Sequence, residues 1–401
     1  MIEVNRKVTY RLYPTRRQEA ELLRVKEMHR QIYNAALEER IGAWKKTRKT
    51  ISFVDQCRSL TQVRNENPEY KTLNAQSLQI TLHRLHLGYQ AFFRRIKRGE
   101  KPGFPRFKNK DRFHGFGYSS QTGWDIEPGI NPKNGRDRNG KIRIEKMWVK
   151  IKGQTRNKGQ YSSMEVVRRN GRWYAVATMQ CWPVRGKGNV AVGIDLGLET
   201  LATVAYDTHD RKIEKINNPR FLKRQLQKLK AAQRVLAKKK RGSGRRGKAE
   251  KVVVRIHEKI ANQRRDFIHQ ETAKIVGKVD LIATETLKVK NMVARGGARK
   301  RGLNRELHSA SFASFTKTLK CKAEEAGVRW VDVPVKTVKP TQRCMDCDRV
   351  EKKPLSERVH RCGCGLTIGR DENSAGSMLV YALKETGREP AWRGGQELVA
   401  L

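Results

Sequence analysis

Val190-Ala191-Val192-Gly193-Ile194-Asp195-Leu196-Gly197 is a short apolar run that ends on an acid and is then broken by glycine. A run of this length, rich in β-branched residues and bounded by turn formers, reads as a buried strand. Gly186-Lys187-Gly188-Asn189 precedes it as a linker. Leu201-Ala202-Thr203-Val204-Ala205-Tyr206 reads as its hairpin partner. A second strand, Leu281-Ile282-Ala283-Thr284, also ends on an acid, Glu285. A third acid, Asp371, sits where a helix bearing Ala375, Leu379 and Ala382 begins. Acids at strand ends and helix starts are held by rigid elements with their heads exposed. A helix start also allows Asp371 a plain role as an N-terminal cap.

Between these strands the pattern is helical. Leu222, Leu226 and Leu229 line one face, and a flexible basic loop is expected over residues 238–248. A long helix over about residues 249–277 then turns Ile256, Ile260, Phe267 and Ile275 inward. Toward the N-terminus the character changes. Val8, Tyr10 and Leu12 alternate as in a strand, and a helix runs from Thr15 to about Trp44. Residues 54–98 read as helical again, with Leu78, Leu82, Leu85 and Tyr89 on one face. Residues 100–183 read mostly as β structure, with Ile142, Ile144, Val149 and Ile151 in short strands. Asn134-Gly135 and Asn139-Gly140 mark turns, and Asn170-Gly171 marks a hairpin. The opening strand joins this β region, so the helices of residues 15–98 are an insertion.

The 401 residues carry 87 Lys and Arg against 40 Asp and Glu, a formal net charge of +47. Such charge repels itself in a compact chain and calls for a polyanionic partner, which points to nucleic acid contacted over much of the surface. No stretch approaches the ~18 apolar residues that span a membrane, and the N-terminus lacks the apolar core of a signal peptide. An intracellular, cytoplasmic protein is expected. Tyr118, Trp124, Trp148, Trp173 and Tyr174 lie among basic residues and are candidates for stacking on unpaired bases, with one of Trp173 and Tyr174 in the core.

Three acids placed this way suit one chemistry. Phosphodiester hydrolysis needs an activated water and neutralisation of the leaving oxygen, and two Mg²⁺ ions held by clustered carboxylates supply both. Four of the seven cysteines cluster as Cys344-x-x-Cys347 and Cys362-x-Cys364, the spacing of a tetrahedral structural zinc site. His360 is an alternative ligand to one of them. Cys57, Cys181 and Cys321 have no partner motif and read as core or idle residues.

The motifs resemble those of the TnpB family. Gly193-Ile194-Asp195-Leu196-Gly197, Thr284 to Met292 and Arg370-Asp371-Glu372-Asn373-Ser374-Ala375 look like its three split RuvC motifs. Arg11-Leu12-Tyr13-Pro14, Tyr33 to Leu37, Gly103 to Lys108 and Arg255 to His269 also match, in order, along nearly the whole chain. The resemblance implies an α+β multidomain protein. A wedge-like β-barrel would take residues 1–14 and 100–185, and a helical recognition insert residues 15–99. An RNase H-like RuvC domain would take residues 186–342 and 366–401, with a zinc finger at 343–365. It implies Asp195, Glu285 and Asp371 as the Mg²⁺-binding catalytic triad, and Cys344, Cys347, Cys362 and Cys364 as zinc ligands. It further implies one chain bound to a guide RNA from a transposon end, cutting double-stranded DNA beside a short flanking motif. A compact type V CRISPR effector, a guided repressor that does not cut and a structural RNA-binding protein remain alternatives. The segment after about residue 386 has the composition of turns or disorder.

Overall fold

A computed structural model describes residues 3–392, apart from residues 121, 131–136, 153–158, 183–185, 287–292, 294–297 and 355. The chain divides into two compact units, Glu3–Pro183 and Val184–Leu401.

The first unit is built on seven antiparallel strands: β1 (Val4–Tyr13), β2 (Gly115–Tyr118), β3 (Trp124–Ile130), β4 (Asp137–Ile144), β5 (Met147–Lys152), β6 (Gly159–Arg169) and β7 (Arg172–Cys181). Their order in the sheet is β2-β6-β7-β1-β5-β4-β3, a nearly closed barrel. The first strand of the chain lies at its middle, pairing Val8 with Ala177 and Leu12 with Ile151. As the alternation requires, Val8, Tyr10 and Leu12 are buried. Asn170 and Gly171 both have positive φ, 52° and 74°, and turn the β6–β7 hairpin. Asn139-Gly140 is not a turn: it lies inside β4, and the reversal falls after Ile144, where Glu145 has a φ of 55°. Asn134-Gly135 lies outside the described residues.

Four helices separate β1 from β2: α1 (Arg16–Thr47), α2 (Phe53–Glu66), α3 (Pro68–Lys71) and α4 (Ala75–Lys97). Thr15 and Gln18 cap the start of α1 reciprocally, at 3.3 and 3.0 Å. The single helical stretch expected over residues 54–98 is three helices, because Asn67 precedes a proline and Asn74 caps a new start by accepting the Ser77 amide at 3.1 Å. Leu22, Met28 and Leu37 of α1 and Leu78, Leu82 and Leu85 of α4 share one core with the barrel strands.

The second unit holds a five-stranded sheet ordered β10-β9-β8-β11-β12, with β8 (Val190–Asp195), β9 (Thr200–Tyr206), β10 (Ile213–Asn217), β11 (Val279–Glu285) and β12 (Arg329–Val333). β8 is antiparallel to β9 and parallel to β11, which is parallel to β12. Helices cover both faces. On one side lie α5 (Phe221–Ala237), α6 (Gly244–Val276), α7 (Ala298–Ala310) and α8 (Phe312–Ala326), of which α6, α7 and α8 supply Ile268, Ile275, Leu307, Phe315 and Leu319 to a core with Val192, Ile194 and Ile282. On the other, α10 (Arg370–Glu385) sets Ala375, Met378, Leu379, Ala382 and Leu383 against Ala191, Leu281 and Ala283. The one-turn helix α9 (Val335–Val338) and the hairpin of β13 (Val359–Arg361) and β14 (Thr367–Gly369) complete the unit.

Two expectations are corrected here. The basic loop ends early: α6 begins at Gly244, capped by Ser243, so Arg245, Arg246 and Lys248 stand on its first turns. Arg246 in turn donates to the terminal carbonyls of Leu236 and Lys239 at 3.0 and 3.1 Å. The segment after residue 386 is tied down as far as Trp392: Arg388 pairs with Asp280 and Asp207, the Ala391 amide donates to Asp207, and Trp392 packs on the α10 core. No helix among the described residues is long and apolar enough to cross a membrane.

Candidate carboxylate site and cysteine cluster

Strand pairing decides where the first two acids stand. Gly193 is opposite Ala283 and Ile194 opposite Thr284, so the next pair in this parallel register is Asp195 and Glu285. Residues paired in a parallel sheet share a face, about 4.8 Å apart between strands. Ala191, Leu281 and Ala283 lie against α10, and alternation puts Asp195 and Glu285 on that same face. Asp371 is in the first turn of α10. A Cβ placed on Gly197 would stand 3.9 Å from an Asp371 carboxylate oxygen, so the turn after Asp195 runs beside the third acid. Asp371 does not cap its helix. Gly369 is the N-cap, and Glu372 accepts the Gly369 amide at 3.2 Å while pairing with Lys215.

The electrostatics agree with this placement. Burial, then the charges of Glu285 and Asp371, push the Asp195 carboxyl up to about 8, against the opposing pull of the Leu196 amide and Arg370. Burial also raises Glu285. A half-buried acid beside two others is costly unless a cation or a proton compensates it. The contact that brings Asp371 here depends on Gly193, a residue whose role the strand pattern left unread. A Cβ there would lie 2.0 Å from the Ala375 carbonyl oxygen, so α10 rests directly on the β8 backbone.

The four cysteines converge. Among the described residues they are the group of metal-binding side chains whose ligand atoms all lie within 4.8 Å of one another. Cys344 and Cys364 sulfurs are 3.7 Å apart and those of Cys347 and Cys362 are 3.5 Å apart. A tetrahedral ion with metal–sulfur bonds of about 2.3 Å holds its sulfurs about 3.8 Å apart, so the set fits zinc. The short Cys362-Gly363-Cys364 knuckle closes because Gly365 takes a φ of 94° and its amide donates to the Cys362 carbonyl at 3.0 Å. His360 is buried on β13 and stands outside the cluster. Of the remaining cysteines, Cys181 is buried in the barrel core and Cys57 packs against it.

Asn373 ties this cluster to the carboxylate helix. It is fully buried, accepts the Met345 amide at 3.0 Å and donates to the Arg343 carbonyl at 2.7 Å. Met345 lies on Gly376, where a Cβ would come within 2.6 Å of its sulfur. The first cysteine knuckle is therefore fastened to α10 two residues beyond Asp371. Asn373→Ala leaves two buried backbone groups unpaired, at a cost of about 2–3 kcal/mol. With zinc loaded into the cluster, the expected outcome is its faster loss to a chelator, read by absorbance of the released complex, with a lower unfolding midpoint. Unchanged zinc retention would show that the knuckle holds without this clamp.

The aromatic candidates divide. Tyr118, Trp124 and Trp173 are buried in the barrel core and are not available for stacking. Trp148 and Tyr174 keep partial exposure. Trp124 and Trp173 lie on the inward face of strands whose alternate residues, Asp125 and Tyr174, stay more open, and Tyr118 ends a strand buried throughout.

A family model described as a probable transposase, OrfB of IS605 elements, matches residues 173–295. A helix-turn-helix model from the same group matches residues 1–49, which here form β1 and the single helix α1. A Cas12f1-like TNB domain model matches residues 312–378, the span that holds the four cysteines and Asp371. A protein of Streptomyces pristinaespiralis, provisionally named an RNA-guided DNA endonuclease, is 27% identical over 96% of this chain and 90% of its own. The InsQ protein of Escherichia coli K12, with the same provisional name, is 29% identical over 92% and 90%. The solved structure of the mini RNA-guided endonuclease CRISPR-Cas phi3 overlays 94% of this chain and 92% of its own, with a TM-score of 0.53 at 10% identity, a likeness of fold. Full-length relatives, transposase models in order along the chain and the expected cysteine cluster together support a TnpB-family protein.

Proposed function

We propose that this protein is an RNA-guided DNA endonuclease with one RuvC-like site, in which Asp195, Glu285 and Asp371 are the catalytic carboxylates. The reading rests above all on the convergence of these three acids at one edge of the β8–β11 pair, where Asp195 is driven up to about 8 by burial and its two neighbours. Its direct expectation is a divalent cation. The three side chains offer hard oxygen donors of the kind that would hold Mg²⁺. When bound, Mg²⁺ supplies charge neutralisation at the leaving oxygen and an activated water. The chain's own part is positional: two strands and the first turn of α10 fix the three carboxylates, and Asp195 gives up its proton as the cation enters. The four cysteines, with no open position among them, hold zinc structurally.

The barrel of residues 1–14 and 100–185 is the wedge domain, and residues 15–99 are the recognition insert. Residues 186–342 and 366–401 are the RuvC domain, and 343–365 the finger. The formal charge of +47 suits a resident guide RNA, and relatives matched over nearly their whole length carry the RNA-guided name. Pairing between guide and target strand supplies sequence specificity, with the protein contributing a short flanking motif and recognition of duplex shape. One chain per RNA cuts the displaced strand and then the target strand, leaving 5′-phosphates.

Plasmid cleavage tests this. The chain is co-expressed with the RNA of its own transposon end and offered a plasmid carrying the guide match beside a randomised flank. Linear product is expected from wild type with Mg²⁺, from a restricted set of flanks, and neither from Asp195→Ala nor in EDTA. Tight RNA-dependent binding without linear product would reject cleavage.

A further inference from the structure

Besides Trp148 and Tyr174, the structure exposes a cluster of aromatic rings at the end of α4. At the C-terminal end of α4, Tyr89, Phe92, Phe93 and Ile96 recur at helical spacing on one face. The loop that follows returns Phe104 onto them. Phe104 meets Tyr89 and Phe92 edge to face, with ring centroids 5.5 and 5.2 Å apart, and Phe93 lies 5.2 Å from Phe92. Despite these contacts, Phe93 remains 54% exposed, Ile96 48% and Phe104 45%. Phe107, three residues on, is 53% exposed.

A cluster of half-open rings is costly in water unless something covers it. The charges around it say what. Residues 94–108 hold seven basic side chains, Arg94, Arg95, Lys97, Arg98, Lys101, Arg106 and Lys108, against the single acid Glu100. Among the described residues none of the seven is ion-paired to an acid. Phe104 also borders a cleft of about 540 Å³ lined by Tyr33, Arg84, Arg106, Arg112 and Phe113, large enough for one nucleotide. An acidic or purely apolar protein partner would suit the rings or the charges, but not both. Bases over phosphates suit both, because every base offers a π-face and every phosphate an anion.

We propose that the end of α4 and the loop of residues 101–108 form a stacking platform for unpaired nucleotides of the guide RNA, with Phe93 and Phe104 as its contact rings. The proposal rests on the nucleic-acid reading above and adds to it a surface and a ligand conformation. RNA, rather than target DNA, is the occupant because a chain this basic needs a resident polyanion whether or not a target is present. The platform binds single strands and not duplex, whose bases are already stacked.

Fluorescence anisotropy with three labelled probes tests it: a 20-nucleotide oligouridylate, a 20-base-pair RNA duplex and a 20-nucleotide oligothymidylate. The full chain is compared with the double variant Phe93→Ala, Phe104→Ala and with Phe93→Trp. The double variant is expected to bind oligouridylate about tenfold more weakly at an unchanged salt slope, with duplex affinity retained. Phe93→Trp keeps a ring and retains affinity. A matching loss on oligothymidylate is compatible, since stacking tolerates either sugar. Equal affinity of variant and wild type for oligouridylate overturns the proposal, as does an equal loss on the duplex or a loss on oligothymidylate alone. Self-association of the wild-type chain that the double variant dissolves would make this face a contact between copies and overturn it too. Because these probes need no cleavage, absence of plasmid cutting with the phenylalanine effect intact would reject the nuclease reading alone.

Discussion

Gly193→Ala is expected to abolish plasmid cleavage and to cost about 3 kcal/mol or more of stability, the range of severe overpacking. The reason is local and geometric. The added Cβ would lie 2.0 Å from the Ala375 carbonyl oxygen, 2.8 Å from the Leu379 amide and 2.9 Å from the Leu379 Cβ. Two of these three neighbours are backbone of α10, so no side chain can swing aside to make room. The helix must lift off the sheet, and Asp371, one turn before Ala375, lifts with it. The matched control is Gly247→Ala on α6, where the new methyl meets nothing within 4 Å and removing a helical glycine is expected to stabilise by roughly 0.5–1 kcal/mol. Urea unfolding and plasmid cleavage on both variants check the pair. Gly193→Ala with wild-type stability and cleavage would mean that α10 does not rest on β8 in this way.

Asp195→Asn is expected to separate stability from activity. Cleavage is lost with the carboxylate. The cation-free protein, in contrast, gains stability above neutral pH, because the substitution removes a charge that burial, Glu285 and Asp371 all oppose. The sign follows from proton binding. Folding raises this carboxyl from its ordinary 3.8 to about 8, so the folded wild type holds a proton that the unfolded chain has released. Wild-type stability in EDTA therefore falls as pH climbs through that window, is fully retained only below it, and levels off above about 8. Asparagine removes the decline, for a gain on the order of 5 kcal/mol at the alkaline end. Mg²⁺ is expected to restore wild-type stability there and to leave Asp195→Asn little changed. Chemical denaturation at pH 5, 7 and 8.5, with EDTA and with Mg²⁺, reads all of this. Equal pH profiles for the two proteins in EDTA would mean that neither burial nor the neighbouring acids raise Asp195.

The position of Asp195 at a strand end, of Glu285 at another and of Asp371 at a helix start was legible in the sequence, because local hydrophobic period and turn residues set each element. The cysteine spacing was legible for the same reason, since a knuckle is a local turn. The Asn170-Gly171 hairpin followed from φ preference alone. Misreadings arose where a distant element intervened. Asn139-Gly140 has turn chemistry, yet β3 and β5 pair on either side of it and draw it into a strand. Arg245, Arg246 and Lys248 have loop chemistry, yet Ser243 caps a helix beneath them.

By itself, then, the sequence determined the local elements, the metal-binding spacings and the need for a polyanion, all of which depend on neighbours within a few residues or on summed charge. Only the tertiary structure decided that β8 and β11 are parallel in the register that pairs Asp195 with Glu285, that α10 lies close enough on Gly193 to bring Asp371 to them, and that Asn373 fastens the cysteine knuckle to that helix. It also decided which aromatics are core and which are surface, burying Trp124 and Trp173 and leaving Phe93 and Phe104 open. Each of these depends on contacts between residues far apart in the chain, where packing, not local preference, sets the distance.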